Sequence, residues 1–487
     1  MRIIGNAGTA PRKVQAVASG ALATGDTVVV NADGTVSVVG STAVSQAIGS
    51  AVVFESSTVR HTAATFDSNS NRVVIAYIDQ GDSNDGTAIV GTVNPSNNSI
   101  SYGTAVKFDT GASDSFMCAT FDSNSNRVII SYRNASTYGA AIVGTVDPSD
   151  NSISFGTSVV YESANSYYQQ STFDTNSNKV VIAYRDAGNS NYGNAVVGTV
   201  DPSNNSISFG SVVVFNQGTT TEISCAFDSS NNRVVIAYKD NSNSNRGTAI
   251  VGNVSNTSIS FGSEVVFDSS ATEWTSTVFD SSNNKIVIAF LRGYGRAIVG
   301  TVDPSDNSIS FGTAAVFESY SVSYISASFD SNTNTVVVAY QDAETYDGTL
   351  SVGTISGTDI SFTTPLVFDT DVSDFTRTTC DSNSKKIVVG YKAGEGNTGP
   401  GTSFVFQPPG SIPNLTAENY IGIASNGYAT GQAATINVKG FIDDNQSSLT
   451  AGQSYYVQTN GDLGLTAADP SVFAGTAVSA TKLIVKG

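Results

Sequence analysis

The chain has 487 residues, of which only 13% are charged, and its formal net charge is −18 at pH 7. This acidic balance argues against a nucleic-acid partner, which would need rows of cations, and it disfavours attraction to an anionic membrane. Val and Ile alternate with Ser, Asn, Thr and Gly, which predicts an all-β protein with polar turns. No run of 18 apolar residues occurs, so membrane insertion is not expected.

The first predicted element is a small β hairpin near the N-terminus. Residues 22–36, LATGDTVVVNADGTV, contain two short strands around an Asp-Gly turn. The same pattern returns near the C-terminus as LTAGQSYYVQTNGDL, residues 449–463. The segments that follow each hairpin are also similar, which predicts a duplicated β-rich base domain. Its two half-modules are 19–39 with 418–440, and 447–487.

A sevenfold repeat fills the middle of the chain. The stretch FDSNSNRVVIAY, residues 66–77, recurs with a period of 50 to 55 residues. The repeat Asp of the seven copies is Asp67, Asp122, Asp174, Asp228, Asp280, Asp330 and Asp381. In the second copy we predict strands at 116–121, 127–132, 139–146 and 152–161, joined by short polar turns. Four short antiparallel strands in about fifty residues are typical of a β-propeller blade.

The two ends of the repeat region complement each other. The seventh copy has no fourth strand, whereas residues 47–54, AIGSAVVF, match fourth strands but follow no first, second or third strand. We therefore predict that this N-terminal strand completes the last blade and closes the ring, which removes exposed sheet edges. The predicted fold is a seven-bladed β-propeller at 43–409, inserted into a base domain made of 1–42 and 410–487.

The two faces of the predicted propeller differ in sequence. The turns after the first and third strands are nearly identical from copy to copy, as in DSNSN and DPSNN. The opposite face has loops that differ in every copy, and we call it the variable face. We expect the base domain at the uniform face and the variable face to be displayed.

The DSNSN turn begins like a calcium-binding loop, but it lacks other parts of one. A cation such as Arg72 follows directly, and no Glu stands at the twelfth position. We predict a structural turn with an Asp–Arg contact, no metal and no cofactor; calcium binding stays the alternative. Three dispersed cysteines do not predict a disulfide framework, and we expect buried free thiols.

The sequence offers little for catalysis. His61 is the only histidine, so a Ser-His-Asp relay would depend on it. Carboxylates stand in the variable loops at Glu55, Asp114, Glu162, Glu273, Glu318 and Glu344, without evidence that any two are close. Small residues in the first strands predict a tightly filled centre. We predict a protein that is not an enzyme, with a carbohydrate hydrolase as the least favoured alternative.

Aromatic residues in and beside the variable loops predict a binding surface. Rigid rings among Ser, Asn and Gly make adaptable recognition surfaces, and flat rings with amide neighbours suit sugars. The alternative is that several rings pack between blades. The candidate ligand-binding residues are Tyr138, Tyr167, Tyr168, Tyr192, Trp274, Tyr294, Tyr320, Tyr324, Tyr346, Arg60 and His61.

The repeat FDSNSNRVVIAY…GTAIVGTV…SISFGTAVVF resembles propeller repeats of virion structural proteins of marine bacteriophages. Residues 14–39 and 417–487 look like terminal segments of the same family, and the duplicated module is similar to head-decoration domains of tailed phages. The resemblance implies a virion protein whose base domain contacts capsid or tail proteins, and no catalytic residues. Homotrimers are usual for such appendages.

These observations predict a bacteriophage virion surface protein. The base domain would anchor it as a capsid decoration or head fibre, and the propeller would bind a host-surface glycan or receptor. A tail fibre or receptor-binding adhesin is the first alternative, and the sequence does not separate these two locations. The expected localisation is the extracellular particle surface, after synthesis in the host cytoplasm.

Overall fold

The computed structural model describes residues 2–4, 12–112, 116–394, 398–468 and 470–486. These residues form almost exclusively antiparallel β-strands, and the prediction of an all-β fold is confirmed. Two 3₁₀ turns, Gln80–Asp82 and Asn241–Asn243, are the only helical segments in the described ranges. No helix in that part of the chain is long and apolar enough to cross a membrane.

The chain divides into two compact units. The first unit combines residues 1–44 with residues 411–487, and the second comprises residues 45–410. The second unit contains all seven copies of the repeat.

Each copy of the repeat forms an antiparallel sheet. We call its strands inner, second, third and outer, beginning with the strand that ends at the repeat Asp. The inner strands end at that Asp, and three of them continue an outer strand of the preceding sheet. They are Val52–Asp67, Cys118–Asp122, Val159–Asp174, Thr220–Asp228, Glu273–Asp280, Val322–Asp330 and Leu366–Asp381. The second strands are Arg72–Asp79, Arg127–Arg133, Lys179–Asp186, Arg233–Asp240, Lys285–Arg292, Thr335–Asp342 and Lys386–Ala393.

The third strands lie next to the second strands and carry the outer strands on their other edge. They are Asp85–Asn94, Tyr138–Asp147, Tyr192–Asp201, Arg246–Ser255, Tyr294–Asp303, Asp347–Ser356 and Pro400–Gln407. The separate outer strands are Ser99–Tyr102, Val106–Asp109, Ser152–Phe155, Ser206–Phe209, Val213–Asn216, Ser258–Phe261, Val265–Ala271, Ser308–Phe311, Ala315–Glu318, Asp359–Phe362 and Ala47–Ile48.

The middle strands are buried on both faces because a neighbouring sheet covers each face. Val73, Val74 and Ile75 are all completely buried, although they point alternately to opposite sides of their sheet. Clusters of buried side chains accordingly join residues of adjacent sheets, such as Val74 and Ile130. This explains why the second strands are continuous runs of β-branched residues rather than alternating ones.

The last sheet takes its outer strand from the N-terminal end of the unit. Thr402 pairs with Val53, and Phe406 pairs with Ile48. The inner strands contact one another in cyclic order, so the seventh inner strand, Leu366–Asp381, meets the first, Val52–Asp67. From these pairings and contacts we infer seven blades that form a closed ring.

The first unit contains two sheets with the same strand order, as expected for a duplication. One runs Val36–Val38, Thr27–Val30, Tyr420–Ala424, Ala433–Asn437, Lys13–Val17 and Arg2–Ile4. The other runs Leu463–Gly464, Ser454–Val457, Phe473–Ser479, Lys482–Val485 and Ile442–Asp443. Ser41–Val44 and Gly410–Pro413 form a separate two-stranded ribbon.

Both sheets of the first unit contribute to one core. Val29 and Ile423 of the first sheet pack in the same buried cluster as Val457 and Leu483 of the second. Gly422 of the first sheet and Gly475 of the second occupy equivalent positions in the duplication. Each lies against a carbonyl oxygen of the neighbouring strand. A Cβ at Gly422 would lie 2.0 Å from the carbonyl oxygen of Asn437, so this close approach requires glycine.

Candidate functional site

The inner strands carry a β-bulge at the same position in six described copies. In the first copy the register shifts between Arg60 and Ala63, and His61 has a φ of 47°. The equivalent residue, six positions before the repeat Asp, also has positive φ in five further copies: Tyr168, Glu222, Trp274, Tyr324 and Phe375. Bulky residues rarely adopt this left-handed conformation, and such strain is concentrated at functional positions.

These residues and Phe116 form a closed ring of seven side chains, one from each sheet. We call it the axial ring: His61, Phe116, Tyr168, Glu222, Trp274, Tyr324 and Phe375. Neighbouring aromatic rings lie close together, with centroid distances of 5.6 Å for His61–Phe116 and 4.3 Å for Phe116–Tyr168. The contacts continue from Trp274 to Tyr324 at 4.8 Å, from Tyr324 to Phe375 at 5.0 Å, and back to His61 at 4.8 Å.

Glu222 completes the axial ring between Tyr168 and Trp274. Its Oε2 accepts a hydrogen bond from the backbone N–H of Trp274 at 3.0 Å. Burial raises the pKa of the Glu222 carboxyl, and the nearby carboxylate of Glu273 raises it further. The axial ring therefore contains a carboxyl group that takes up a proton more readily than that of an exposed glutamate.

Hydrogen bonds between adjacent blades hold parts of the axial ring in place. The hydroxyl of Thr62 donates to the carbonyl oxygen of Phe375, and the hydroxyl of Thr376 donates to that of Tyr324. Thr275 makes the same bond to the carbonyl oxygen of Glu222. Each threonine follows the ring position of its own blade, so these bonds couple successive blades.

The axial ring lies at the variable face, because the pairing of inner strands with second strands places its residues beside the loops between second and third strands. Arg60 pairs with Ile78, the residue two positions before the Gln80–Asp82 turn. All seven side chains of the axial ring are partly exposed. The arrangement presents aromatic faces around the centre of a surface whose surrounding loops differ from blade to blade.

Cations surround the axial ring although the chain is acidic overall. Tyr167 lies between two guanidiniums, with Arg133 at 4.4 Å and Arg185 at 4.3 Å from its ring centroid. Arg185 also lies 5.1 Å from the ring of Tyr168. Lys392 is buried and forms an ion pair of 2.6 Å with Asp374. The side of the axial ring at Arg133 and Arg185 is therefore locally basic.

The structure brings together part of the predicted ligand-binding set. His61, Tyr168, Trp274 and Tyr324 are members of the axial ring, and Arg60 and Tyr167 precede two of them in the chain. Tyr138, Tyr192, Tyr294, Tyr320 and Tyr346 instead lie in or beside outer loops, and four of these are 37% to 54% exposed. Whether any of these residues binds a ligand stays a prediction.

Three members of the axial ring were missed: Phe116, Glu222 and Phe375. The sequence did contain a signal for these residues. An alignment of the seven copies on the repeat Asp places all three in one column with the other four members of the axial ring. That column contains five aromatic residues, one histidine and one glutamate. Because the residue type in this column changes from copy to copy, the shared position was not recognised.

Several carboxylates of the variable loops have structural partners. Glu55, Glu162 and Glu318 accept hydrogen bonds from the buried hydroxyls of Tyr77, Tyr184 and Tyr340, at 3.2, 3.1 and 3.0 Å respectively. Glu55 and Glu162 also accept backbone N–H groups two residues further on. These groups anchor loops to the buried strands. Asp114 lies outside the described residues.

The repeat turns are held by hydrogen bonds, but the expected Asp–Arg contact within each turn is wrong. Asp67 Oδ1 accepts the backbone N–H groups of Asn69 and Ser70 at 2.9 and 3.0 Å. Arg72 reaches the next blade, where it donates to Asn151 Oδ1 at 2.5 Å and to the Pro148 carbonyl at 2.7 Å. No group of three or more His, Cys, Asp or Glu side chains suited to a metal occurs among the residues described.

The centre of the propeller is less filled than the small residues of the inner strands predicted. A cavity of about 100 Å³ lies directly below the axial ring, and a wider one of about 530 Å³ is lined by residues of all seven inner strands. Cys118, Cys225 and Cys380 are free, as predicted, and these residues are partly buried. Burial raises the pKa of Cys225 well above its ordinary value.

Comparison with known proteins supports the fold class. The structure is similar to that of the BP39L lectin from Burkholderia pseudomallei, with a TM-score of 0.50 and 10% sequence identity. The similarity covers 74% of this chain and 100% of the lectin chain, whose fold is of β-propeller type. No family model and no curated protein matches the sequence. At this identity the likeness concerns the fold and not the function.

Proposed function

We propose that this protein is a non-enzymatic carbohydrate-binding propeller, and that the axial ring with its neighbouring loops is the binding site. The observation that carries the proposal is the axial ring, whose seven side chains are partly exposed and include five aromatic residues, with six of the seven positions held at positive φ. Such conformations persist only where the surrounding structure enforces them, and the bonds from Thr62, Thr275 and Thr376 do so here.

Sugars suit this surface chemically. A pyranose presents C–H groups that pack on aromatic faces, and its hydroxyls bond to nearby amide, hydroxyl and carboxylate groups. Trp274 and Tyr324 supply such faces at a centroid distance of 4.8 Å, and Glu222 supplies an acceptor next to Trp274. The similarity to a lectin propeller is consistent with a binding role, although it concerns the fold alone.

A binding role is preferred to catalysis because the carboxylates that a hydrolase would need are otherwise engaged. Glu55, Glu162 and Glu318 each bond a buried tyrosine. Glu222 and Glu273 are close enough to affect each other, but Glu273 is paired with Lys239 at 3.2 Å. Incubation of a bound polysaccharide with the protein should leave its chain length unchanged, and new reducing ends would contradict this part of the proposal.

We further propose that the first unit anchors the protein to a bacteriophage particle as a capsid decoration or head fibre. The support is the sequence resemblance of the repeats and terminal segments to virion structural proteins of marine phages. Imaging of intact particles should find many copies on the head lattice. A few copies at the tail would favour the tail-fibre alternative, and absence from the particle would refute the virion role. Light scattering of the purified protein tests the expected homotrimer.

The binding proposal is tested with two tyrosines from the same loop. Tyr324 belongs to the axial ring, whereas Tyr320, four residues earlier, is 49% exposed and outside it. Full-length protein is screened on a glycan array, and the tightest ligand is titrated calorimetrically against Tyr324→Ala and Tyr320→Ala. Loss of one stacking face should weaken binding by about five- to thirtyfold in Tyr324→Ala, equivalent to about 1–2 kcal/mol, and leave Tyr320→Ala unchanged. The reverse pattern would place the site in the outer loops.

A further inference from the structure

The cavity directly below the axial ring is a small polar chamber. Its volume is about 100 Å³, enough for a few water molecules or one small ion. The lining residues below the ring come from the inner strands and include Gln170, Ser224, Ser276, Ser326 and Arg377. A chamber lined by hydroxyl, amide and guanidinium groups is chemically suited to a polar occupant.

Arg377 is the only cation that lines the chamber within the described part of the chain. Its Nη1 donates to the carbonyl oxygen of Thr376 at 2.8 Å, and no other acceptor among the described residues bonds its guanidinium. Burial lowers the pKa of Arg377, but a guanidinium remains charged at neutral pH. Removing a charge from water is unfavourable unless a counter-charge accompanies it.

Other donors face the chamber without using their full hydrogen-bonding capacity. Ser276 Oγ accepts the backbone N–H of Ala327 at 3.0 Å, and its own proton has no acceptor among the described residues. The side-chain amide of Gln170 also lines the chamber and has no hydrogen-bond partner in that part of the chain. Arg377, Ser276 and Gln170 therefore offer donors to a common space.

Glu222 is the one carboxylate among the described residues that line the chamber, and it does not neutralise Arg377 directly. Glu222 stands in the axial ring, three blades away from Arg377, and its Oε2 is bonded to the N–H of Trp274. The two side chains form no ion pair, and neither contributes to the pKa of the other. A counter-ion for Arg377 has to come from outside the protein or act across bound water.

We infer that the chamber binds a small inorganic anion of halide size, held by Arg377 with donors from Ser276 and Gln170. The guanidinium that lines the chamber, the unused donors and the matching volume carry this inference. It does not depend on carbohydrate binding, because the anion lies below the axial ring rather than on its outer surface.

The direct test is a crystal of the full chain grown in sodium bromide. The anomalous signal of bromide should give a peak within hydrogen-bonding distance of the Arg377 guanidinium. A chamber that holds only water would overturn the inference, since Glu222 would then balance Arg377 through solvent. Peaks confined to the outer surface would overturn it equally.

Thermal unfolding of matched variants provides a second test of the anion site. Bromide should raise the melting temperature by about 1–3 °C relative to sodium gluconate of equal ionic strength, because gluconate is too large for the chamber. This rise should persist in Lys482→Gln, which changes the net charge equally at an exposed site, and vanish in Arg377→Gln. An undiminished rise in Arg377→Gln would refute the site. Should Arg377→Gln fail to fold, Arg377→Lys keeps the charge and should keep the rise.

Discussion

Phe375 allows a direct test of the strained backbone in the axial ring. Its φ of 54° lies in the left-handed region, where a residue with a Cβ is about 1–2 kcal/mol less favourable than glycine. Phe375→Ala and Phe375→Gly remove the same aromatic ring but differ in whether a Cβ remains. Comparing them separates the backbone strain from the side-chain contacts.

Both variants should be destabilised, but by different amounts. The Phe375 ring contacts His61 at 4.8 Å and Tyr324 at 5.0 Å, and each aromatic pair contributes about 0.5–1.5 kcal/mol beyond burial. Truncation should therefore cost about 2–4 kcal/mol in either variant. Glycine relieves the strain but loses about 0.5–1 kcal/mol more chain entropy than alanine. The net expectation is that Phe375→Gly is more stable than Phe375→Ala by about 0.5–1 kcal/mol.

Urea denaturation followed by tryptophan fluorescence measures this difference. Trp274 is the only tryptophan in the chain and belongs to the axial ring, so its signal reports on the propeller. Val367 is the control, because it is 45% exposed on an extended strand. There the order should reverse, with Val367→Ala more stable than Val367→Gly. Equal or greater stability of Phe375→Ala would refute the assignment of strain to this position.

Three further predictions concern the contacts between blades and the titration of the axial ring. Arg127 donates to Asn205 Oδ1 at 2.6 Å and to a backbone carbonyl of the same turn, so Arg127→Lys should lower the unfolding free energy by about 1–3 kcal/mol in urea. Gly103→Ala would place a Cβ 2.2 Å from the carbonyl oxygen of Asn151, and a similar loss is expected by calorimetry; an unchanged melting temperature would contradict the packing. The pKa of Glu222 is raised in the folded state, so folding stability falls as pH rises from its unfolded pKa through its folded one. Glu222→Gln should thus be stabilising at pH 7 and lose this advantage at pH 4, whereas a gain independent of pH would exclude titration as the cause.

Much of the propeller could be predicted because its signals are local. The repeat Asp, the polar turn and the β-branched second strand lie within twelve residues, so strand positions follow from turn chemistry and composition. The pairing of Thr402 with Val53 was predicted for a different reason: one end of the repeat region lacked the strand that the other end had in excess. The duplicated hairpins of the first unit were also visible as similar sequence.

The contacts between blades could not be read from the sequence. Arg72 was expected to contact the Asp of its own turn, but it donates to backbone carbonyls of that turn and to Asn151, which lies 79 residues further along the chain. The sequence nevertheless contains a trace of this contact. Gly103 lies against the turn that contains Asn151 in the next blade, where a Cβ would be too close to a backbone carbonyl. The sixth copy has Thr363 at the equivalent position, and the blade that follows it has no such turn.

The candidate site shows the same division between local and tertiary information. The sequence by itself determined which aromatic residues stand near the variable loops, because loop position follows from strand order. Only the tertiary structure decided that Trp274 and Tyr324 meet at 4.8 Å while Tyr320 does not join them. The physical reason is that a bulge with positive φ turns one side chain inward in six of the described copies. Contact between neighbouring inner strands then brings these side chains and Phe116 together from distant repeats.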